Sequence, residues 1–304
     1  MGLERLCGLF GKTRQAYYQS LHRSESTTFI HSIVLVLVKE IREDMPFIGT
    51  RKLLHLLTPK LQDHNIKMGR DQLFNLLRFH GLLVRRRHKK VYTTNSHHWL
   101  KKYPNLIKEI ILTGSEQLWV SDITYVQTLQ GVNYLSLIMD AYSKKIMGYS
   151  LDTSLEADGP IAALKMAIAN RSYHTSFFLI HHSDRGVQYC SRRYVELLVN
   201  ENIAISMTED SNPCDNSMAE RVNGIIKNEF KKNQIYKNHK DAYKAISKDI
   251  HVYNTKRPHG SIDYHTPEVA HYMKEPLKKR WKNYKKSMKT SHLPHDPNHS
   301  LKRL

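Results

Sequence analysis

The sequence predicts a mixed α/β domain preceded by small all-helical modules, and three observations support this fold class. Up to about His80, apolar residues recur at helical spacing. From Leu118 the chain changes to the segments LWVSDITYV, GVNYLSLIMDAYS and KKIMGYSL, which are typical of three consecutive antiparallel strands because they are rich in β-branched and aromatic residues. Beyond about Gly159, helical and strand-like segments alternate, which indicates one mixed sheet flanked by helices.

Residues 1–25 predict a helix-turn-helix segment. GLERLCGLFG has the apolar stripe of a helix, Gly11 suits a turn, and Thr13 is a candidate N-cap for a second helix. In a DNA-binding helix pair the second helix faces the major groove. The residues expected there are Arg14, Gln15 and Tyr18. The alternative is that two short helices only pad the fold.

A second helical DNA-binding module with a basic linker is expected over residues 26–95. Its helices are predicted from about Phe29 to Arg42, from Thr50 to a stop at Pro59, and from about Arg70 to His80. The linker contains the basic run RRRHKK. Its candidate phosphate contacts are Arg85, Arg86 and Arg87. The alternative is a linker that is merely solvated.

The composition indicates a nucleic-acid partner. The 304 residues include 47 Lys and Arg against 28 Asp and Glu, which gives a formal net charge of +19 and favours a polyanion. With 40% apolar residues the chain is able to bury a core, so wholesale disorder is excluded. The aliphatic run Ile33–Val38 is far shorter than the roughly 20 residues of a membrane span. We therefore expect no membrane association and a cytoplasmic protein, with three reduced cysteines.

Three acidic residues occupy positions that an α/β fold uses for chemistry. Asp122 lies inside the apolar strand WVSDITYV, where a carboxylate is costly to bury unless it is hydrogen-bonded, paired or metal-bound. Asp184 directly follows the strand FFLIHHS, at a carboxyl strand end. Glu220 lies near the start of a helix predicted from about Asn216 to Lys232. Singly, each also suits a structural role: a buried loop contact, a turn and a helix N-terminus.

If these three carboxylates converge, they suit a pair of hard divalent ions, Mg²⁺ or Mn²⁺, in phosphoryl transfer. Lys227, nearly two α-helical turns after Glu220, is expected on the same face and beside a DNA phosphate. Asn216 and Asn223 share that face, and we place them among the DNA contacts. A zinc site at His181 and His182 is disfavoured because adjacent strand residues point to opposite faces. A serine nucleophile at Ser183 lacks the required elbow.

These segments also carry a family resemblance. WVSDITYV, HHSDRGVQYCS and CDNSMAERVNGIIKNEF, with 35 residues between Asp184 and Glu220, resemble the DDE core of IS-three family insertion-sequence transposases. That core is related to retroviral integrase and ribonuclease H. YNTKRPHGSIDYHTPEVA is similar to the family's closing signature, and LCGLFGKTRQAYYQ and PFIGTRKLLHLL are similar to helical modules of its second-frame (OrfB) protein.

The resemblance implies a ribonuclease H-like integrase core over residues 110–270, with a mixed five-stranded sheet, and a basic tail over 271–304. It makes Asp122, Asp184 and Glu220 the catalytic and metal-binding triad, and Lys227 a contact to the transposon end. Arg257 lies in the closing signature and is expected among the DNA contacts. The implied partners are terminal inverted repeats, target DNA, further copies of the chain and a first-frame (OrfA) protein, at a bacterial nucleoid. The implied activity is metal-dependent cleavage and strand transfer.

Two alternatives remain open at this point. One is a nuclease on the same fold, which cuts without joining. The other is a DNA-binding repressor, or an inactive second-frame fragment that needs the first-frame partner.

Overall fold

The computed structural model describes residues 2–84, 99–108, 110–172, 178–209, 217–230 and 234–277. Arg85, Arg86, Arg87, Asn216 and the tail beyond residue 277 lie outside the described residues. The helices before the sheet are α1 (Leu3–Leu9), α2 (Arg14–Asp44), α3 (Thr50–Asp63) and α4 (Arg70–Phe79). The strands are β1 (Leu118–Thr128), β2 (Gly131–Asp140), β3 (Ile146–Asp152), β4 (Ile180–Ser183) and β5 (Ala204–Met207). The remaining elements are α5 (Asp158–Ala169), α6 (Val187–Cys190), α7 (Arg192–Asn200), α8 (Ser217–Ile225), a π-helical turn (Ile226–Phe230), α9 (His239–Thr255), a 3₁₀ turn (Gly260–Ile262) and α10 (Pro267–Tyr272).

The long helix α2 joins the two helical modules that the sequence suggested. Thr13 caps it as predicted, since its side chain accepts a hydrogen bond from the Ala16 backbone N–H at 3.1 Å. The helix then continues to Asp44, so the expected boundary between residues 25 and 26 falls inside it. The continuity follows from the sequence, which contains neither glycine nor proline between Gly11 and Pro46. The separate helix expected from Phe29 is therefore the second half of α2.

The predicted end of a helix at Pro59 is wrong. Helix α3 continues through this proline to Asp63. An interior proline removes one backbone hydrogen bond and costs about 3 kcal/mol. Leu57 and Leu61, on either side of it, are 0% and 3% exposed, and their burial offsets that cost. Tertiary packing therefore decides the end of this helix.

The sheet has the order β3-β2-β1-β4-β5. Strands β1, β2 and β3 pair antiparallel, which confirms the predicted meander. Strand β4 joins β1 in parallel and β5 joins β4 in parallel. Trp119 packs on one face with α5 and α7, whereas Val120 packs on the other with α8 and α9. This arrangement confirms the predicted mixed five-stranded sheet with flanking helices.

Helix α5 packs unusually close to β3 at Gly148. A Cβ built on Gly148 would lie 2.1 Å from the Ala163 carbonyl oxygen and 2.7 Å from the Ala167 backbone nitrogen. Only glycine allows this approach, because any side chain there meets the helix backbone itself. The contact fixes α5 against the edge of the sheet.

A buried polar network anchors α10 to the core. The His271 ring lies 3.0 Å from Ser143 Oγ through Nδ1 and 3.2 Å from Glu116 Oε1 through Nε2. Asp140 in turn accepts hydrogen bonds from the backbone N–H groups of Glu116 and Ser143, both at 2.7 Å. All four side chains are fully buried, so the network is structural.

Among the described helices, none has a sufficiently long apolar stretch to cross a lipid bilayer.

Candidate active site

Asp122 is held at the centre of the sheet by two hydrogen bonds. It lies in β1, where it is paired with Leu137 of the antiparallel neighbour β2. Its Oδ1 accepts from the Ile123 backbone N–H at 3.0 Å, and its Oδ2 accepts from the Asn223 amide at 2.7 Å. Because Asn223 belongs to α8, this second bond docks that helix against the strand.

Asp184 lies next to Asp122 because their strands are parallel neighbours. The register pairs Val120 of β1 with His182 of β4. Asp122 and Asp184 each come two residues later, so they lie side by side on the two parallel strands. Asp184 Oδ1 accepts from the Gly186 backbone N–H at 3.0 Å, which closes a tight turn. A Cβ at Gly186 would lie 3.0 Å from that oxygen, so the turn favours a glycine.

Glu220 lies in the first turn of α8 and is exposed. It precedes Asn223 by three residues, about one helical turn. The Asn223 bond to Asp122 therefore holds Glu220 on the side of the helix that faces the two aspartates.

The three carboxylates interact electrostatically. The pKa of Asp122 is raised to about 7, first by burial and next by the negative charge of Asp184, with a smaller contribution from Glu220. The hydrogen bonds from Asn223 and Ile123 act in the opposite direction. A cluster of like charges on oxygen ligands is the donor set that a hard divalent cation favours. Within the described ranges, however, no three His, Cys, Asp or Glu side chains lie close enough to hold a metal ion.

Lys227 lies on the π-helical turn that continues α8. Burial lowers the pKa of its ammonium group, and the negative charge of Asp122 opposes that change. Lys227 therefore interacts electrostatically with Asp122, although the helix is no longer α-helical where the spacing argument placed it, and its contact with a DNA phosphate remains a prediction. π-Helical turns within α-helices occur frequently at functional sites.

Two residues that we expected among the DNA contacts have structural roles. Asn223 is only 4% exposed, and its amide is engaged by Asp122. Arg257 is 2% exposed, and it donates from Nε and Nη2 to the two oxygens of Glu229, both at 2.8 Å. Motif position did not reveal this burial, and contact of either residue with DNA remains a prediction. No sequence signal named Glu229 as the partner.

Residues Arg14, Gln15 and Tyr18 lie at the exposed start of α2. The Arg14 guanidinium lies 5.7 Å from the centre of the Tyr18 ring. Their contact with DNA remains a prediction.

A basic face that sequence analysis did not single out lies between α3 and α4. It is lined by Arg51, Arg70, Asp71, Phe74, Asn75 and Arg78. Asp71 pairs with Arg70 at 2.9 Å, and Arg78 Nη1 donates to Asn75 Oδ1 at 2.7 Å. The opposite face of α4 is buried through Leu73, Leu76 and Leu77. The alternation of buried leucines with Asn75 and Arg78 was the sequence signal available for this face.

Comparison with known families identifies the part of the chain that forms the sheet as an integrase core. The integrase core domain family matches residues 113–213, and a second integrase core domain family matches residues 201–267. Both ranges include residues of the site described above.

Similar proteins extend the match to the helical modules. The insertion element IS600 uncharacterized 31 kDa protein of Shigella sonnei is 33% identical over 86% of this chain and 96% of its own length. A transposase for insertion sequence element IS629, also from Shigella sonnei, is 31% identical over 78% of this chain and 80% of its own length. The chain belongs to the insertion-sequence transposases with an integrase core, and it is a polynucleotidyl transferase of the DDE type.

Among solved structures, the catalytic core domain of HTLV-2 integrase in complex with magnesium (trimeric form) has a TM-score of 0.42 and 21% identity. The superposed region covers 52% of this chain and 98% of the integrase domain.

Proposed function

We propose that this transposase cuts and joins DNA at Asp122, Asp184 and Glu220, and that these carboxylates draw together around two divalent ions, Mg²⁺ or Mn²⁺, when the metal binds. The observation that carries this proposal is geometric: the parallel register of β1 and β4 brings Asp184 beside Asp122, and the Asn223 bond docks the helix of Glu220 against Asp122. In agreement with this placement, burial and the charges of Asp184 and Glu220 raise the pKa of Asp122 to about 7. A partly buried carboxylate with two acidic neighbours is electrostatically unfavourable without a cation. Perturbed groups of this kind cluster at functional sites.

Two phosphoryl transfers make up the proposed reaction. In the first, water attacks a phosphodiester at the element end, and the broken P–O bond leaves a free 3′-OH. In the second, that 3′-OH attacks a phosphodiester of target DNA, so that one P–O bond forms while another breaks and releases a target 3′-OH. When bound, the metal pair would activate the attacking oxygen and stabilise the leaving one.

The residues around the carboxylates have separate roles in this scheme. Asn223 orients Asp122 through its 2.7 Å hydrogen bond and keeps its proton affinity lower than burial alone would. The Lys227 ammonium neutralises charge beside Asp122 and offers a contact to a DNA phosphate.

We further propose that the basic face between α3 and α4 binds the element ends. Three arginines and one aspartate line it, and this excess of positive charge suits phosphates. Asn75 and Arg78 are residue types that hydrogen-bond to adenine and guanine edges. Arg14, Gln15 and Tyr18 would add contacts from α2, and Arg85, Arg86 and Arg87 would track the phosphates. Asn216, next to the active-site helix, is also proposed to contact DNA.

Assembly is part of the proposal, because two element ends must be brought together for transposition. We propose that the chain forms a homo-oligomer on DNA at the bacterial nucleoid. A first-frame (OrfA) protein contributes to this assembly. Residues 271–304 form the basic tail of this arrangement, after the catalytic core of residues 110–270.

A binding assay beside a joining assay tests these roles. Glu220→Gln should bind the DNA that flanks the gene as the unaltered chain does, yet give no joined product with Mg²⁺ or Mn²⁺. Arg78→Ala should weaken binding and lower the preference for that DNA over random DNA. Lys60→Ala, a change on α3 away from the basic face, is the matched control. Unchanged preference in Arg78→Ala would remove the recognition role from α4.

A further inference from the structure

Three parts of the chain meet at Glu229. Its Oε1 accepts from Lys52 Nζ of α3 at 2.9 Å and from Arg257 Nη2 at 2.8 Å, and its Oε2 accepts from Arg257 Nε at 2.8 Å. Its backbone carbonyl also accepts from the Phe47 N–H at 3.0 Å. We call Glu229, Lys52 and Arg257 the Glu229 junction. It ties the helical module, the helix of Glu220 and the segment after α9 to one another.

The junction is largely buried. The side chains of Lys52 and Glu229 are 23% and 24% exposed, and that of Arg257 is 2% exposed. Burial, together with the charge of Arg257, lowers the pKa of Lys52 to about 8. Charge-assisted bonds in such surroundings are stronger than exposed pairs. The junction is therefore a rigid contact.

The junction lies between the basic face and the helix that carries Glu220. Lys52 follows Arg51, which lines the basic face. Glu229 lies on the π-helical turn that continues α8, the helix of Glu220. The junction therefore connects α3 directly to the end of the helix that carries Glu220.

We propose that Glu229 is a positioning residue, through which the helical module sets the place of Glu220 and Lys227 in the active site. The inference rests on the proposed function, since it assumes DNA binding at α3 and α4 and chemistry at the carboxylates. Lys52 transmits the position of α3, while Arg257 holds Glu229 against the core. Each end is then processed only when the helical module is correctly docked.

The test uses the full chain and the variants Lys52→Met, Lys52→Arg and Lys60→Met. Lys60→Met is the control because Lys60 lies on the same helix and pairs with Glu40 at 2.8 Å, but is more exposed. We expect Lys52→Met to bind donor DNA within about twofold of the original chain while joining at saturating donor falls about ten- to a hundredfold. Lys52→Arg should recover joining, because it keeps the cation, and Lys60→Met should behave as the original chain.

Three results would overturn the inference: unchanged joining in Lys52→Met, a loss of donor binding equal to its loss of joining, or failure of Lys52→Arg to recover. Hydrogen exchange at residues 217–230 needs no strand joining, so it tests the junction independently of the proposed chemistry. If the original chain joins no DNA, the proposed function fails. Donor DNA that slows this exchange in the original chain but not in Lys52→Met still supports the junction, whereas equal slowing in both contradicts it.

Discussion

The hydrogen bond from Asn223 to Asp122 should set the pH range in which the transposase works. Asn223→Ala removes a 2.7 Å bond to the carboxylate, one of the interactions that lower the pKa of Asp122. A hydrogen bond to a charged group contributes about 1.5–3 kcal/mol. At 1.36 kcal/mol per pKa unit, the pKa of Asp122 should therefore rise above about 7 by about one to two units.

The consequence is a loss of joining near neutral pH that higher pH reverses. Metal binding requires the ionised carboxylate, so at pH 7.5 and subsaturating Mg²⁺ the joining rate should fall about three- to twentyfold. At pH 9 the variant and the original chain should agree within about twofold. The assay is the initial rate of strand joining between pH 6 and 9, with DNA binding measured in parallel.

Asn228→Ala is the matched control, because Asn228 is exposed and its amide only donates to the Gly224 carbonyl oxygen. Its profile should follow that of the original chain. A pH profile of Asn223→Ala that is merely scaled down, without displacement to higher pH, would refute this account of Asp122.

Three further predictions follow from other parts of the molecule. Gly148→Ala should lower the free energy of unfolding by at least about 1–3 kcal/mol, since its Cβ meets the Ala163 carbonyl oxygen; Gly114→Ala, where the nearest atom is 3.7 Å away, should change it little, and equal urea midpoints would contradict the packing. DNA affinity should fall by roughly 10³–10⁵ between 50 and 200 mM salt for six to ten phosphate contacts, and a flat titration would remove the electrostatic account. Without metal, the chain should unfold at a progressively lower temperature as pH rises from about 4 to about 7, because over this range the unfolded chain releases the Asp122 proton that the folded chain retains; Asp122→Asn should remove this dependence, and an unchanged slope would assign it elsewhere.

The central sheet was predictable because local sequence and long-range packing agree there. Three β-rich segments with short turns predicted β1 to β3, and the structure confirms them. The positions of Asp122 and Asp184, one inside an apolar strand and one at a strand end, followed from the same patterns. Their adjacency did not, because it depends on the parallel pairing of β4 with β1.

The departures all arise where distant contacts override local signals. Pro59 predicted a helix end, but the burial of Leu57 and Leu61 keeps α3 continuous. Arg257 was expected among the DNA contacts because of its place in the closing signature, yet its side chain is 2% exposed and pairs with Glu229. The π-helical turn after α8 has no local signature, so α-helical spacing alone did not predict the interaction of Lys227 with Asp122.

The most direct test of the central claim is a strand-transfer assay with the full chain, the DNA that flanks its gene, and Mg²⁺ or Mn²⁺, run beside Asp184→Asn and Glu220→Gln. The account predicts joined products that require metal and disappear in both variants, while both still bind the donor DNA. Joining at near-normal rates by either variant would contradict the assignment of these carboxylates as the active site.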